Sequence, residues 1–300
     1  MDMTQNKCCR HGASLRRRRR RRRKILRSVI FSCSIIAVIV FVAVGSRMIT
    51  SGDGGTNKYD VEAGNNTYDN AVIENSKISE NNKIQNEQSM LDDIMNSTQY
   101  PKQLQELALK NEEALEFVYD YPAEHVKEHT IDLTEEASMD SVPLFVQWDK
   151  RWGYEKYSGN FFAASGCGPT TLSMVVVYLT HNREASPIAV AKYSKEAGYS
   201  VDGSGSSWTL ISEGCRHYGV KAKTVALDES RMKAELDAGH PIVVNVGPGD
   251  FTDTGHFMVI TGYDDEGFSI NDPNSIEKSG KRWSFKNISS QIRAVWSMYV

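Results

Sequence analysis

The stretch Ala164-Ser-Gly-Cys167-Gly-Pro169-Thr-Thr-Leu-Ser-Met-Val-Val-Val-Tyr-Leu179 decides how the rest of the chain is read. Proline is best tolerated in the first turn of a helix, so Pro169 marks a helix start. Leu172, Met174, Val175, Val176, Val177 and Leu179 make that helix apolar nearly all round, hence buried. Cys167 therefore falls at its N-terminal end. There the unpaired backbone N–H groups and the positive end of the helix dipole favour a thiolate, the nucleophilic form of cysteine. Gly166 and Gly168 on either side leave room for another chain to come close. A cysteine so placed needs a base. Downstream, Gly255-His256-Phe-Met-Val-Ile-Thr-Gly-Tyr263 puts a histidine at the head of a strand-like run, and Phe268-Ser-Ile-Asn-Asp272-Pro273 puts a carboxylate at the end of the next. Cysteine, histidine and aspartate in that order suit nucleophilic hydrolysis.

Working outward, the aggregate figures hide an uneven chain. The 300 residues carry a net charge of −3. Met1 to Arg27 holds 12 Lys/Arg against one Asp, or +11, so the remainder holds −14. Eight consecutive arginines, Arg16 to Arg23, end close to the apolar run Ser28-Val-Ile-Phe-Ser-Cys-Ser-Ile-Ile-Ala-Val-Ile-Val-Phe-Val-Ala-Val44. Position decides between a nucleic-acid patch and a membrane: a basic tip directly before an apolar segment points to a single-pass anchor, not to nucleic acid. The segment is near the lower limit for crossing a bilayer, and snorkelling by Arg27 and Arg47 extends it. By the positive-inside rule the N-terminus stays in the cytoplasm and everything beyond Ser46 lies outside. The competing expectation is a secreted protein, cleaved near Gly45 after Ala43-Val-Gly45. Of five cysteines, only Cys167 and Cys215 lie past the apolar run, which leaves no disulfide framework.

The expected organisation is a basic cytoplasmic tip (1–27), a transmembrane anchor (28–46), a disordered stalk (47–100), a helical lead-in (101–138) and a compact domain (139–300). The stalk is poor in aromatics and rich in Asn, Ser, Gly and acids, too little to bury against its ordering entropy. In the lead-in, Leu104, Leu107, Ala108, Leu115 and Val118 share a helical face over Lys102 to Tyr121, and that face should pack on the domain that follows. Glu112, Glu113, Glu116, Glu124 and Glu128 read as its solvated side. Within the domain, Val142–Gln147 reads as a short strand and Pro187–Ala197 as a helix. A helix over Thr209–Tyr218 is capped by Ser206 or Ser207. Strands at Lys221–Val225, Pro241–Val246, His256–Tyr263, Gly267–Asn271 and Trp296–Val300 flank a helix at Glu229–Ala238. Helices first and a mostly antiparallel sheet later make this an α+β fold.

These residues resemble the papain-like cysteine peptidases, and more closely the stand-alone relatives of the bacteriocin-processing, double-glycine leader peptidase domain. The resemblance covers roughly Asp140 to Val300 and rests on Val142-Pro-Leu-Phe-Val-Gln147, Gly166-Cys-Gly-Pro169, Gly255-His256-Phe-Met-Val-Ile-Thr-Gly-Tyr263 and Asn271-Asp-Pro273. It implies a papain-like fold with Cys167 as nucleophile, His256 as base and Asp272 as the group that orients the imidazole. It also implies Gln147 as the oxyanion-hole side chain, partnered by the backbone N–H of Cys167. About 20 residues separate Gln147 from Cys167, more than in better-known members, so Trp148 or Asn160 stands as an alternative. The implied activity is cleavage of a peptide or isopeptide bond in a peptide or protein substrate. A cell-wall peptide amidase and a non-catalytic peptide-binding module on the same fold are the rivals. With no Gly-x-x-x-x-Gly-Lys motif and no further spanning segment in this sequence, the expectation is a stand-alone hydrolase and not the leader-processing exporter itself.

Other polar residues read more simply. Cys215 is a small buried apolar residue, and His217 and His240 belong to surface or turns. Asp264, Asp265 and Glu266 fill a tight turn without the spacing of a calcium loop, so no metal or cofactor is expected. Asp272 could merely cap a turn before Pro273, and Trp208 is either core or a wall of the substrate cleft.

Overall fold

The computed structural model describes residues 66–300, with side chains from 79 onward. The chain divides into two units, Met1–Asp69 and Asn70–Val300, and nearly all of the described residues belong to the second. The basic tip, the apolar segment Ser28–Val44 and the first part of the expected stalk lie outside the described residues. Among the described residues no helix is long and apolar enough to cross a membrane.

The second unit is built on a six-stranded sheet, β5 (Lys221–Thr224), β10 (Ile292–Tyr299), β6 (Ile242–Val246), β7 (His256–Asp264), β8 (Gly267–Asn271) and β9 (Arg282–Trp283), in that spatial order. Every neighbouring pair is antiparallel. Because side chains alternate across a strand, the central strands bury both faces. Val243, Phe257, Val259, Trp296 and Met298 join one core with the helix Cys167–Thr180. Val244, Val246, Met258, Ile260 and Val295 join a second with Met232 and Ile288. The helix Cys167–Thr180 is buried from Gly168 through Val177, as an all-round apolar sequence requires. This is the α+β arrangement expected, with the helix Cys167–Thr180 ahead of the main sheet and the helix Glu229–Asp237 between two of its strands.

Several local expectations change. Val142–Gln147 forms no strand and joins no ladder, and Gln147 already belongs to a turn. Pro143 has no N–H to give, and the carbonyls of Val142 and Pro143 are taken instead by the side-chain amide of Asn271 at 3.0 and 3.1 Å. The helix expected at Thr209–Tyr218 breaks into a turn at Thr209–Ser212 and a 3₁₀ stretch at Gly214–Tyr218. Neither serine caps it through its side chain: the Ser206 hydroxyl bonds Tyr157 at 2.6 Å, and that of Ser207 bonds the Thr209 hydroxyl at 2.6 Å. Two small hairpins were not foreseen, β1 (Lys156–Tyr157) with β2 (Asn160–Phe161) and β3 (Ser200–Val201) with β4 (Gly205–Ser206).

The stalk expectation is corrected over its described part, because Asn66–Asn96 forms a helix. Its last turns carry Met90, Leu91 and Ile94 at helical spacing, and this narrow apolar edge docks with Leu104, Leu107 and Phe117 in a third core. Ion pairs such as Lys83 with Glu87 at 3.8 Å, one turn apart, add a little along its exposed side. The lead-in helix ends at Lys110, and Asn111 is extended there before shorter turns at Glu112–Ala114, Leu115–Tyr119 and Tyr121–Glu124. Its apolar residues still face inward: Leu104, Leu107, Ala108, Leu115 and Val118 are all buried, against Phe161 and Ala163 of the domain.

Candidate active site

Two glycines fix the position of the thiol. A Cβ on Gly166 would lie 2.6 Å from the Phe162 ring, and one on Gly168 would lie 2.6 Å from the Ser206 hydroxyl. Only hydrogen fits on either side of Cys167, so the helix start sits hard against both neighbours. Cys167 is partly exposed as a residue and lines a cleft of about 730 Å³ together with Asn160, Trp208, Asn245, Phe257 and Arg293. Trp208, about half exposed, packs edge-on against Trp296 at 5.9 Å and forms a cleft wall. Of the residues lining this cleft, Arg293 brings the charge.

His256 opens β7 opposite Val246, and the amide of Asn245 donates to its carbonyl at 3.2 Å. Asp272 directly follows β8, the other arm of the hairpin. The two meet: His256 Nε2 lies 2.7 Å from Asp272 Oδ1, with 6 % and 0 % of each residue exposed. The same Oδ1 accepts the N–H of Asn274 at 2.8 Å, while Oδ2 is buried without a hydrogen-bond partner. Nε2 is committed to the carboxylate, and the Cys167 thiol is close enough to the ring for each to shift the other's titration.

The electrostatics follow from this geometry. Burial alone would push the Cys167 thiol up, but the hydrogen bond and positive charge of His256, with the N–H groups of Phe257 and Gly168, hold it below its ordinary value. Burial would likewise lower His256, yet the Asp272 carboxylate and then the Cys167 sulfur outweigh it and push the imidazole up, to about 10. Shifts of opposite sign on the two partners stabilise one protonation state of the pair, thiolate with imidazolium. Cys215 is the contrast: wholly buried, its thiol is pushed up to about 11 by desolvation.

Gln147 sits beside this group and not in the cleft lining. It is buried; its amide nitrogen donates to the carbonyl of Ala163 at 2.7 Å and its backbone N–H to that of Pro273 at 2.7 Å. It ties the approach to Cys167 to the turn after Asp272. Of its two alternatives, Trp148 donates through Nε1 to the Asn274 carbonyl at 3.3 Å, and Asn160 lines the cleft while its Oδ1 accepts the Phe161 N–H at 2.8 Å. His217 stacks on Tyr193 with ring centroids 4.0 Å apart, and His240 bonds Glu235 at 3.2 Å. Asp264 accepts the turn N–H groups of Glu266 and Gly267 and pairs with Arg282 at 2.5 Å.

Among solved structures, the chain is similar to the peptidase domain of Streptococcus ComA, a bi-functional ABC transporter involved in a quorum-sensing pathway. That match has 19 % identity and a TM-score of 0.39 and covers 53 % of this chain and 96 % of that one. It is also similar to a C39-like peptidase from Bacillus anthracis, at 16 % identity and a TM-score of 0.34, over 53 % of this chain and 95 % of the other. No curated protein matches significantly. Residues 139–300, which contain Cys167, His256 and Asp272, match the model of the Peptidase_C39 like family over more than half of the chain, and the chain belongs to that family.

Proposed function

We propose that the chain is a cysteine peptidase that hydrolyses a peptide or isopeptide bond through Cys167, His256 and Asp272. What carries the reading is the buried 2.7 Å contact between His256 Nε2 and Asp272 Oδ1, together with the mutual influence of the Cys167 thiol and the His256 imidazole on each other's titration. The thiolate attacks the scissile carbonyl carbon, forming the C–S bond and an oxyanion. The N–H of Cys167, at the start of its helix, receives that oxyanion. As the tetrahedral species collapses, the C–N bond breaks and the His256 imidazolium gives its proton to the departing amine, leaving a thioester. The now neutral imidazole takes a proton from water, hydroxide attacks the thioester, and the thiolate is expelled with the imidazolium restored. Asp272 holds the ring's tautomer and orientation throughout.

The basic tip and apolar run at Ser28–Val44 support a tethered enzyme, single-pass, with its catalytic unit outside the membrane. Protease added to intact cells should then remove the C-terminal mass, whereas a protected domain would reverse the topology. A domain released into the medium with a new N-terminus near Ser46 would replace the anchor by a cleaved signal.

The catalytic reading is tested by following alkylation of Cys167 against pH. The wild type should react as a thiolate well below the roughly 8.5 of a free cysteine, and His256→Ala should move the profile upward. Incubation with a mixed peptide library should yield cleavage products that vanish in Cys167→Ala. If Cys167 titrates as a free thiol and His256→Ala changes nothing, the peptidase reading fails.

A further inference from the structure

Asp272 lies one residue past the end of β8, beyond the ladder that fixes the hairpin. Besides His256, Gln147 and Trp148, part of what holds its loop comes from the lead-in, 163 residues earlier. The Asn111 amide donates to the Asn274 carbonyl at 3.0 Å and to the Asn274 side-chain oxygen at 3.1 Å. The Glu113 carboxylate accepts the Ser275 hydroxyl and the backbone N–H groups of Ile276 at 2.7 Å and Glu277 at 3.0 Å. These contacts fall on the residues that bind Asp272 in turn. Asn274 donates its N–H to Asp272 Oδ1 at 2.8 Å, and the Asp272 N–H donates at 2.9 Å to the Ser279 hydroxyl, which bonds back to the Ser275 carbonyl at 2.7 Å. The lead-in that supplies Asn111 and Glu113 also packs Leu115, Phe117 and Val118 on Phe161 and Ala163, in the segment that leads to Cys167. One element thus braces the thiol's approach and grips the carboxylate's loop, and it lies outside the residues 139–300 that match the family.

We infer that Asn111 and Glu113 are positioning residues: they hold the 272–277 loop where its carboxylate meets His256, so that the lead-in is a working part of the site. The inference rests on the catalytic reading above. The groups that face the imidazole are Asp272 and Cys167, and Tyr157 stands near the sulfur. A loop that drifts by about an ångström costs reactive geometry steeply, on the order of a hundredfold in rate. It also removes the charge that keeps His256 protonated, so the thiolate loses its partner.

The test uses the full chain, iodoacetamide as the probe, and the rate of Cys167 modification against pH read by mass spectrometry, with the melting temperature followed alongside. Glu113→Ala and Asn111→Ala should each move the alkylation midpoint upward by about one pH unit, as the loss of a close counter-charge does. Glu113→Gln keeps an acceptor for the two N–H groups and should stay near the wild type. Leu104→Ala removes a wholly buried side chain of the same lead-in without touching the loop, so it should lower the melting temperature and leave the midpoint alone. If Glu113→Ala and Asn111→Ala behave like Leu104→Ala, the lead-in is merely structural and the inference is overturned, while a shift in His256→Ala keeps the catalytic reading standing. If His256→Ala shifts nothing either, that reading fails and the inference falls with it.

Discussion

Gly168→Ala is the smallest change that should damage the site. The new Cβ would sit 2.6 Å from Ser206 Oγ and 2.7 Å from Ser206 Cβ, and ordinary contact begins at 3.4 Å, so one side must retreat by about 0.8 Å. Neither side moves freely. Gly168 belongs to the buried helix beginning at Cys167, and Ser206 is held by β3 and by its 2.6 Å bond to the Tyr157 hydroxyl, itself fixed by Ser194 at 2.8 Å. Overpacking of this kind costs about 1–3 kcal/mol, while replacing glycine inside a helix returns about 0.5–1 kcal/mol. The balance is a loss centred on about 1 kcal/mol and reaching about 2.5 kcal/mol, which in a unit of this size lowers the melting temperature by roughly 2–4 °C at the centre of that range. The Gly168 N–H also supports the thiolate, so the alkylation midpoint of Cys167 should rise. Thermal unfolding of a double-mutant cycle isolates the cause. Ser206→Gly removes both clashing atoms and should recover most of the loss in the double variant, whereas Ser206→Ala keeps the Cβ at 2.7 Å and should recover little. If Gly168→Ala melts at the wild-type temperature, or if the two substitutions add without coupling, the close-approach argument is wrong.

Asp272→Asn keeps an oxygen for the Asn274 N–H but removes the charge that raises His256, so the Cys167 alkylation profile should move upward and turnover should fall further still; an unchanged profile would detach the carboxylate from the pair. Ile94→Asp places a charge where the wholly buried Ile94 docks the long helix, and limited proteolysis should then cut within 66–96 well before the sheet opens; unchanged resistance would mean the helix is held by something else. Glu235 is pulled down to about 2 by hydrogen bonds from Lys223 and Ser297, against the opposing effect of burial, with His240 adding to the pull. A lowered carboxylate contributes stability that is present above its ordinary 4.5 and lost as pH falls toward 2, so urea unfolding followed from pH 5 to pH 2.5 should steepen with Glu235 and flatten in Glu235→Gln. Equal acid limbs in both proteins would remove Glu235 from that role.

What the sequence made legible was local chemistry. Gly166, Gly168 and Pro169 announce a crowded helix start, and the unbroken apolar run behind them announces burial, because both signals act within one turn of the residues that carry them. Gly267–Asn271 could be bounded to the residue because alternation and a polar turn mark its two ends. The failures are non-local. Glu113 looks like one more acid on a solvated face, and only a loop 162 residues later gives it three donors to accept. Likewise the polar composition of 66–96 argues against order until the three apolar residues near its end find Leu104 and Leu107 to pack on.

The meeting of His256 and Asp272 shows where that limit runs through the site itself. A hairpin numbered outward from its turn pairs Asp264 with Gly267 and Tyr263 with Phe268, and continuing that register would set Asp272 across from Val259. Side chains alternate along a strand, so Asp272 would then face away from the side His256 shares with Met258. The ladder instead slips by one residue between Ile260 and Gly262, leaving Thr261 as the extra residue of a bulge. Beyond it Val259 pairs with Asn271, and the register continued one step brings Asp272 opposite Met258, on the face of His256 and diagonal to it. The alternation of apolar residues that reveals β7 and β8 is nearly the same with or without the slip, so a linear reading finds both residues and cannot orient them. Thr261 is thus as much a condition of the 2.7 Å contact as either residue that makes it.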